Sequence, residues 1–156
     1  MNRLSKLLPL ANIVVDSDAR DKSAALDVAA RVFAAASSLD ERKIRASLDD
    51  REALGSTGLG QGVAIPHGRV RGVKEAMAAV VRLHHPVAFD APDGRPVGLL
   101  FALLVPEKAR QEHLEMLSEL AQMLSDRELR ASLMSEPTAA QVLARIVSWT
   151  PVRPAA

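Results

Sequence analysis

Apolar residues change their period along this chain, from helical near the start to strand-like in the middle and helical again toward the end. Leu26, Ala29, Ala30, Phe33 and Ala36 recur at helical spacing, and Asp21 or Ser23 stands ahead of them as a cap. Asn12 to Val15, just before, predicts a short strand, and Asp40 opens a second helical stretch toward Asp50. Val63 to Ile65 predicts a brief strand, Ala76 to His84 a longer one, and Val97 to Val105 a buried one. The turn Ala91-Pro92-Asp93-Gly94 bounds the last of these on one side and Pro106 ends it on the other. From about Arg110 the period is helical: Leu114, Leu117, Leu120, Ala121 and Leu124 make one apolar stripe, Asp126 starts another helix, and Pro137 suits the first turn of the last. The pattern predicts an α/β or α+β fold, with strands in the middle and helices at both ends.

Composition narrows the class. A chain of 156 residues fits one domain, and at that size about 70% of the unfolded surface is buried. Hydrophobic residues at 48% alongside 25% charged ones predict a soluble globular protein. Charge or proline interrupts every apolar run well short of the roughly 20 residues that a bilayer span requires, and no signal-peptide pattern opens the chain, so neither membrane insertion nor export is expected. The absence of cysteine rules out disulfides and thiolate chemistry and agrees with a cytoplasmic location. A net charge of +1, with Lys and Arg scattered and few aromatic residues, does not support nucleic-acid binding. There is no repeat, and Pro151 to Ala156 reads as a frayed tail.

The candidate chemistry lies where glycine concentrates, since six of the eight glycines fall between Gly55 and Gly72. Such a cluster suggests a backbone that turns tightly or exposes its N–H groups to a ligand. His67 ends the run, between Pro66, which fixes its own φ and biases Ile65 toward an extended conformation, and Gly68; the framing predicts a histidine that is presented and not packed. His113 precedes Leu117, Leu120 and Leu124 by four, seven and eleven residues, so it shares their face and is either a satisfied core residue or the wall of a site. His84 and His85 are neighbours in a predicted strand and should point to opposite faces, as structural residues. Asp49 and Asp50 read as solvated charge on a helix. A P-loop is excluded because no lysine lies between Gly55 and Gly72, and a dinucleotide fingerprint because Val63 and Ile65 stand where glycine would be needed. His-Glu-x-x-His is absent, and Ser56 is not in Gly-x-Ser-x-Gly.

The segment Arg51-Glu52-Ala53-Leu54-Gly55-Ser56-Thr57-Gly58-Leu59-Gly60-Gln61-Gly62-Val63-Ala64-Ile65-Pro66-His67-Gly68-Arg69, followed by Glu112-His113-Leu114-Glu115-Met116-Leu117, resembles the fructose/mannitol-type enzyme IIA domain of the bacterial phosphotransferase system. It is most similar to the stand-alone nitrogen-regulatory form. The resemblance spans residues 4–149, leaving 150–156 as a C-terminal tail, and implies a single domain with a central mixed sheet flanked by helices. It implies that His67 accepts a phosphoryl group on Nε2 from a phosphohistidine carrier protein (HPr-like), with His113 as the second histidine of the site, Arg51 as its arginine, and no cofactor or metal. On this reading the inner-face position of His113 is that of a site wall. The Thr57 hydroxyl is added by chemistry and neighbourhood as a further donor to the phosphoryl oxygens.

The chain contains neither a permease nor a cysteine-bearing domain, which favours a regulatory phosphocarrier acting on target proteins. A sugar-specific enzyme IIA serving a separate permease component stays open. So do a binding module of the same fold that never carries phosphate, and a metal-dependent hydrolase using His67 and His113.

Overall fold

In the computed structural model, which describes residues 3–108 and 111–150, the run Val97 to Val105 is buried throughout because it forms the middle of a sheet covered on both faces. In chain order the regular elements of the described residues are β1 (Ile13–Ser17), α1 (Lys22–Ala36), α2 (Glu41–Glu52), β2 (Gly58–Gly60), β3 (Val63–Ala64), β4 (His67–Val70), β5 (Met77–Val87), β6 (Val97–Pro106), α3 (Gln111–Leu124), α4 (Arg127–Ser135) and α5 (Ala139–Ser148). Two short 3₁₀ turns, Leu4–Leu7 and Leu10–Asn12, precede β1. The sheet order is β1-β5-β6-β3-β2, and β4 also pairs with β6. It is mixed: β1 runs parallel to β5, β3 and β4 run parallel to β6, while β5 and β6 are antiparallel and so are β2 and β3.

Alternation along β6 sorts its side chains into two cores. Leu100, Ala102 and Leu104 pack with Leu26, Phe33, Ile44 and Leu48 of α1 and α2. Leu99, Phe101, Leu103 and Val105 pack on the opposite face with Met116, Leu120, Leu129, Leu133, Val142 and Ile146 of the three C-terminal helices. Side chains cap most of these helices, where the first turn would otherwise leave its N–H groups unpaired. Asp21 accepts from the Ala24 N–H at 2.7 Å, Asp40 from Arg42 at 2.8 Å, Asp126 from Leu129 at 3.1 Å and Thr138 from Gln141 at 3.2 Å. At the far end of α4, buried Arg82 of β5 donates to the carbonyls of Leu133 at 2.9 Å and Glu136 at 2.7 Å. An apolar residue at position 82 would strand those carbonyls without their donor.

The fold class read from periodicity holds, and the differences are local. Asn12 falls outside β1 because its amide donates to the Ala78 carbonyl at 3.0 Å, which pins it at the end of a 3₁₀ turn. Ile65 lies past the end of β3, and β5 starts one residue after Ala76 and continues beyond His84 to Val87. Pro137 lies just ahead of the Thr138 cap and not inside the last helix. On α3 the buried stripe is His113, Met116, Leu120, Met123 and Leu124, whereas Leu114 is 61% exposed. Leucine spacing alone set the expected face too far round, because the methionines that fill the core carry the same periodic signal. Arg110 lies outside the described residues, as do 151–156 of the tail. His84 and His85 are a correction: strand register shifts between Arg82 and Val87, alternation fails there, and both rings are exposed with centroids 4.4 Å apart.

Candidate active site

The strand β4 was not foreseen, and it mounts the site. β3 and β4 lie along β6 at one common offset, so they are a single line of chain interrupted at Ile65-Pro66. Pro66 has no N–H for the ladder, and its carbonyl accepts from Leu103 N–H at 2.9 Å. The Ile65 N–H turns away to the Thr57 carbonyl at 3.0 Å. The step leaves β4 without a neighbour on its outer side, so His67 starts a strand on a sheet edge. His67 is only 9% exposed, which corrects the expectation of a presented loop residue. Gly68 has a packing role: a Cβ there would lie 2.3 Å from Ser47 Oγ and 3.1 Å from the Ser47 carbonyl carbon, so only glycine lets α2 approach β4 this closely.

Ser47, Asp50, Arg51 and Leu54 from α2 and the turn after it, His67, Gly68 and Arg69 from β4, and His113 from α3 line one cleft of about 370 Å³. A larger groove of about 590 Å³ between β1 and α1 holds no histidine and none of the motif residues. The structure therefore brings His67, His113 and Arg51 together. Arg69 was missed, although its place two residues after His67 on a strand puts both side chains on one face, a signal readable only once β4 is recognised. Thr57 is not in the cleft lining. Its hydroxyl and its N–H both go to the Glu52 carboxylate, so the expected donation to a phosphoryl group is not available from this arrangement.

Hydrogen bonding assigns the two rings opposite tasks. His67 Nδ1 lies 2.7 Å from the Ile65 carbonyl, which can only accept, so Nδ1 carries the proton and Nε2 keeps its lone pair. His113 Nδ1 is buried and has no hydrogen-bond partner among the described residues. An unpaired buried acceptor is tolerated better than an unpaired N–H, so the His113 proton belongs on Nε2. The ring centroids are 5.7 Å apart and the planes are inclined by 66°. One ring thus has an unprotonated Nε2 and the other a protonated one. Burial lowers the proton affinity of His67 below the ordinary imidazole value, with Arg51 and Arg69 adding to it, against the Ile65 hydrogen bond and Glu52. Burial also lowers that of His113, with contributions from His67 and Arg69. Arg51 gives one N–H to the Gly55 carbonyl at 2.8 Å, which fixes the side chain and leaves further donors for the cleft. Among the described residues, no group of three or more histidine, aspartate or glutamate side chains is placed to hold a metal.

The chain is thus a three-layer α/β/α protein in which an edge-strand imidazole shares one cleft with two arginines and a second histidine. The chain belongs to the family described as phosphoenolpyruvate-dependent sugar phosphotransferase system, EIIA 2, which matches residues 6–149, and it is thereby of the class of phosphotransferase-system components. It is 44% identical over 140 residues to the nitrogen regulatory protein of Pseudomonas aeruginosa, covering 89% of this chain and 91% of that one. The crystal structure of the nitrogen regulatory protein IIA-Ntr from Neisseria meningitidis superposes with a TM-score of 0.88 at 48% identity, covering 93% of this chain and 99% of that one. The mannitol enzyme IIA of Escherichia coli, solved in complex with phosphorylated enzyme IIB, shares the fold with a TM-score of 0.76 at 21% identity, over 92% of this chain and all of that one. No helix among the described residues is long and apolar enough to cross a membrane.

Proposed function

We propose that this protein is a histidine phosphocarrier that takes a phosphoryl group from a phosphohistidine carrier protein onto His67 Nε2 and serves regulation through it. The observation that carries the reading is the Nδ1–H bond from His67 to the Ile65 carbonyl, which leaves Nε2 with its lone pair on a buried ring that lines the cleft. In the transfer, the bond from phosphorus to the carrier's ring nitrogen breaks as the bond to His67 Nε2 forms, and the electron pair of the broken bond returns to the carrier's imidazole. Such a loose transition state asks mainly for position and for donors to the equatorial oxygens. Arg51, Arg69 and the His113 Nε2–H supply those donors. The positive charge that develops on the phosphorylated ring is shared with the Ile65 carbonyl through Nδ1–H. Likeness to nitrogen regulatory proteins supports the regulatory role, with targets that distinguish bare from phosphorylated protein. A group adding about two negative charges to a cleft edge is enough to change such an interface. Meeting that carrier requires a shared compartment, the cytoplasm.

The direct test is intact mass after incubation with a phosphorylated HPr-like carrier: one phosphate shift is expected, and none would refute phosphocarrier action. Two further outcomes follow from the ring assignments. His113→Ala should still fold and bind the carrier while single-turnover transfer slows about 10²-fold, the usual worth of one such donor. A rate within twofold of wild type would return His113 to a structural role.

The pH dependence has a definite sign. His67 is the nucleophile only when neutral, and its proton affinity is depressed, so transfer should stay level down to the ordinary imidazole value of 6.5 and fall only at lower pH. Stability moves the same way. Folded His67 and His113 bind protons less readily than the unfolded chain, so their contribution is present above 6.5 and is lost as pH falls through the folded values. Single-turnover rates and urea midpoints between about pH 5 and 8 check both statements. A rate already falling between 8 and 7 would show that burial does not keep His67 neutral.

A further inference from the structure

We propose that Glu52 is a positioning residue for His67, acting through Thr57 and Ile65 to hold the imidazole in the tautomer that leaves Nε2 free. The inference rests on the reading of His67 as phosphoryl acceptor.

Glu52 is the last residue of α2, where the helix dipole presents its negative end and a carboxylate is locally unfavourable. Its side chain is nonetheless only 7% exposed, and a charge so placed needs compensating partners. Lys22 Nζ lies 2.9 Å from it, itself held 3.4 Å from the Phe89 carbonyl and 4.6 Å from the centre of the Phe89 ring. The Thr57 hydroxyl donates to Oε1, and the Thr57 N–H lies 3.3 Å from both carboxylate oxygens.

From Thr57 the chain of hydrogen bonds continues to the nucleophile. The Thr57 carbonyl accepts from Ile65 N–H at 3.0 Å, and the Ile65 carbonyl accepts from His67 Nδ1–H at 2.7 Å. Each link has its donor on the imidazole side and its acceptor on the carboxylate side, so the three bonds together hold Ile65 and Thr57 in place between the ring and Glu52. Pairing of Ala64 and Pro66 with β6 holds the Ile65 peptides from one side, and the Ile65 N–H bond to Thr57 adds the Gly55 to Thr57 turn as their support on the other. Glu52 anchors that turn from the inside. Its sequence neighbour Arg51 grips the same turn from the outside, through the Gly55 carbonyl at 2.8 Å. One helix end thus orders the anion-binding arginine and the seat of the nucleophile together.

The experiment reads the protonation of each His67 ring nitrogen by long-range ¹H–¹⁵N spectra of the bare protein, with transfer kinetics from a phosphorylated HPr-like carrier alongside. Wild type is expected to be Nδ1-protonated. Glu52→Ala should show a substantial Nε2-protonated population and a kcat lowered about 10-fold with KM for the carrier unchanged, as for removal of other orienting partners. Glu52→Gln, which keeps an acceptor for Thr57 but not the charge, should fall between the two. Thr57→Val keeps the shape and the N–H, so it tests the same link even if Glu52→Ala does not fold, and should shift the tautomer in the same direction. An unchanged tautomer and unchanged kcat in Glu52→Gln and Thr57→Val, with only a lowered Tm, would overturn the proposal. The spectra need no phosphoryl transfer. Wild type that takes up no phosphate would refute the acceptor reading while the tautomer result still decides the role of Glu52.

Discussion

His67→Ala is expected to take up no phosphoryl group at all while still folding with a measurable loss of stability. No other ring in the cleft can replace the nucleophile: His113 has its Nδ1 buried and its proton on Nε2, the nitrogen that would have to attack. The stability cost follows from burial. At 9% exposure the His67 ring contributes packing, and its removal leaves the Ile65 carbonyl without its donor, a loss of about 1–2 kcal/mol. Intact mass should show one phosphate added to wild type and none to the mutant, and urea denaturation should give a lowered midpoint with an unchanged slope. A mutant that still gains the phosphate shift would move the acceptor elsewhere and end the assignment.

Arg51→Ala should slow transfer about 10³-fold, at the lower end of what a positioned arginine contributes to phosphoryl transfer. The geometry makes the replacement by lysine informative. One guanidinium N–H is committed to the Gly55 carbonyl at 2.8 Å, and the planar fork still offers donors to the cleft. A lysine ammonium has the charge but cannot hold the turn and present a fork at once, so Arg51→Lys should recover only part of the lost rate. Single-turnover rates at low and high salt separate the possibilities, since a direct contact shielded by a docked carrier is less screened than a general potential. Equal rates for lysine and arginine would remove the forked contact. An unimpaired Arg51→Ala would remove Arg51 from the site.

The cluster of glycines ahead of His67 led to the right segment for a partly wrong reason. The glycines suggest a tight turn or exposed backbone that presents a histidine, and the segment is strand, turn and strand, with Gln61 at a φ of 59° between two glycines also at positive φ. Those glycines answer to the hairpin, and Gly68 answers to the approach of Ser47, so the display of His67 owes more to the edge position of β4 than to looseness. A three- or four-residue strand in a glycine-rich segment carries too few positions for a period to emerge, which is why β2 and β4 are not legible. Thr57 illustrates a second limit. A hydroxyl near a phosphate-type motif is a reasonable donor on chemistry alone, yet the partner that claims it, Glu52, is fixed by how α2 ends against the turn.

What the sequence by itself determined were the properties that depend on local chemistry and on period: the helices opening near Asp21 or Ser23 and at Asp40 and Asp126, the buried strand from Val97 to Val105, and the motif that carries the family resemblance. Period is written into consecutive residues, so it survives without knowledge of partners. Only the tertiary structure decided what holds the His67 ring in its tautomer, that His113 and Arg69 share its cleft, and that Thr57 and Ile65 link Glu52 to the imidazole. Each of those depends on elements far apart in sequence meeting at one sheet edge, and the direction of a single hydrogen bond there sets which nitrogen of His67 is unprotonated.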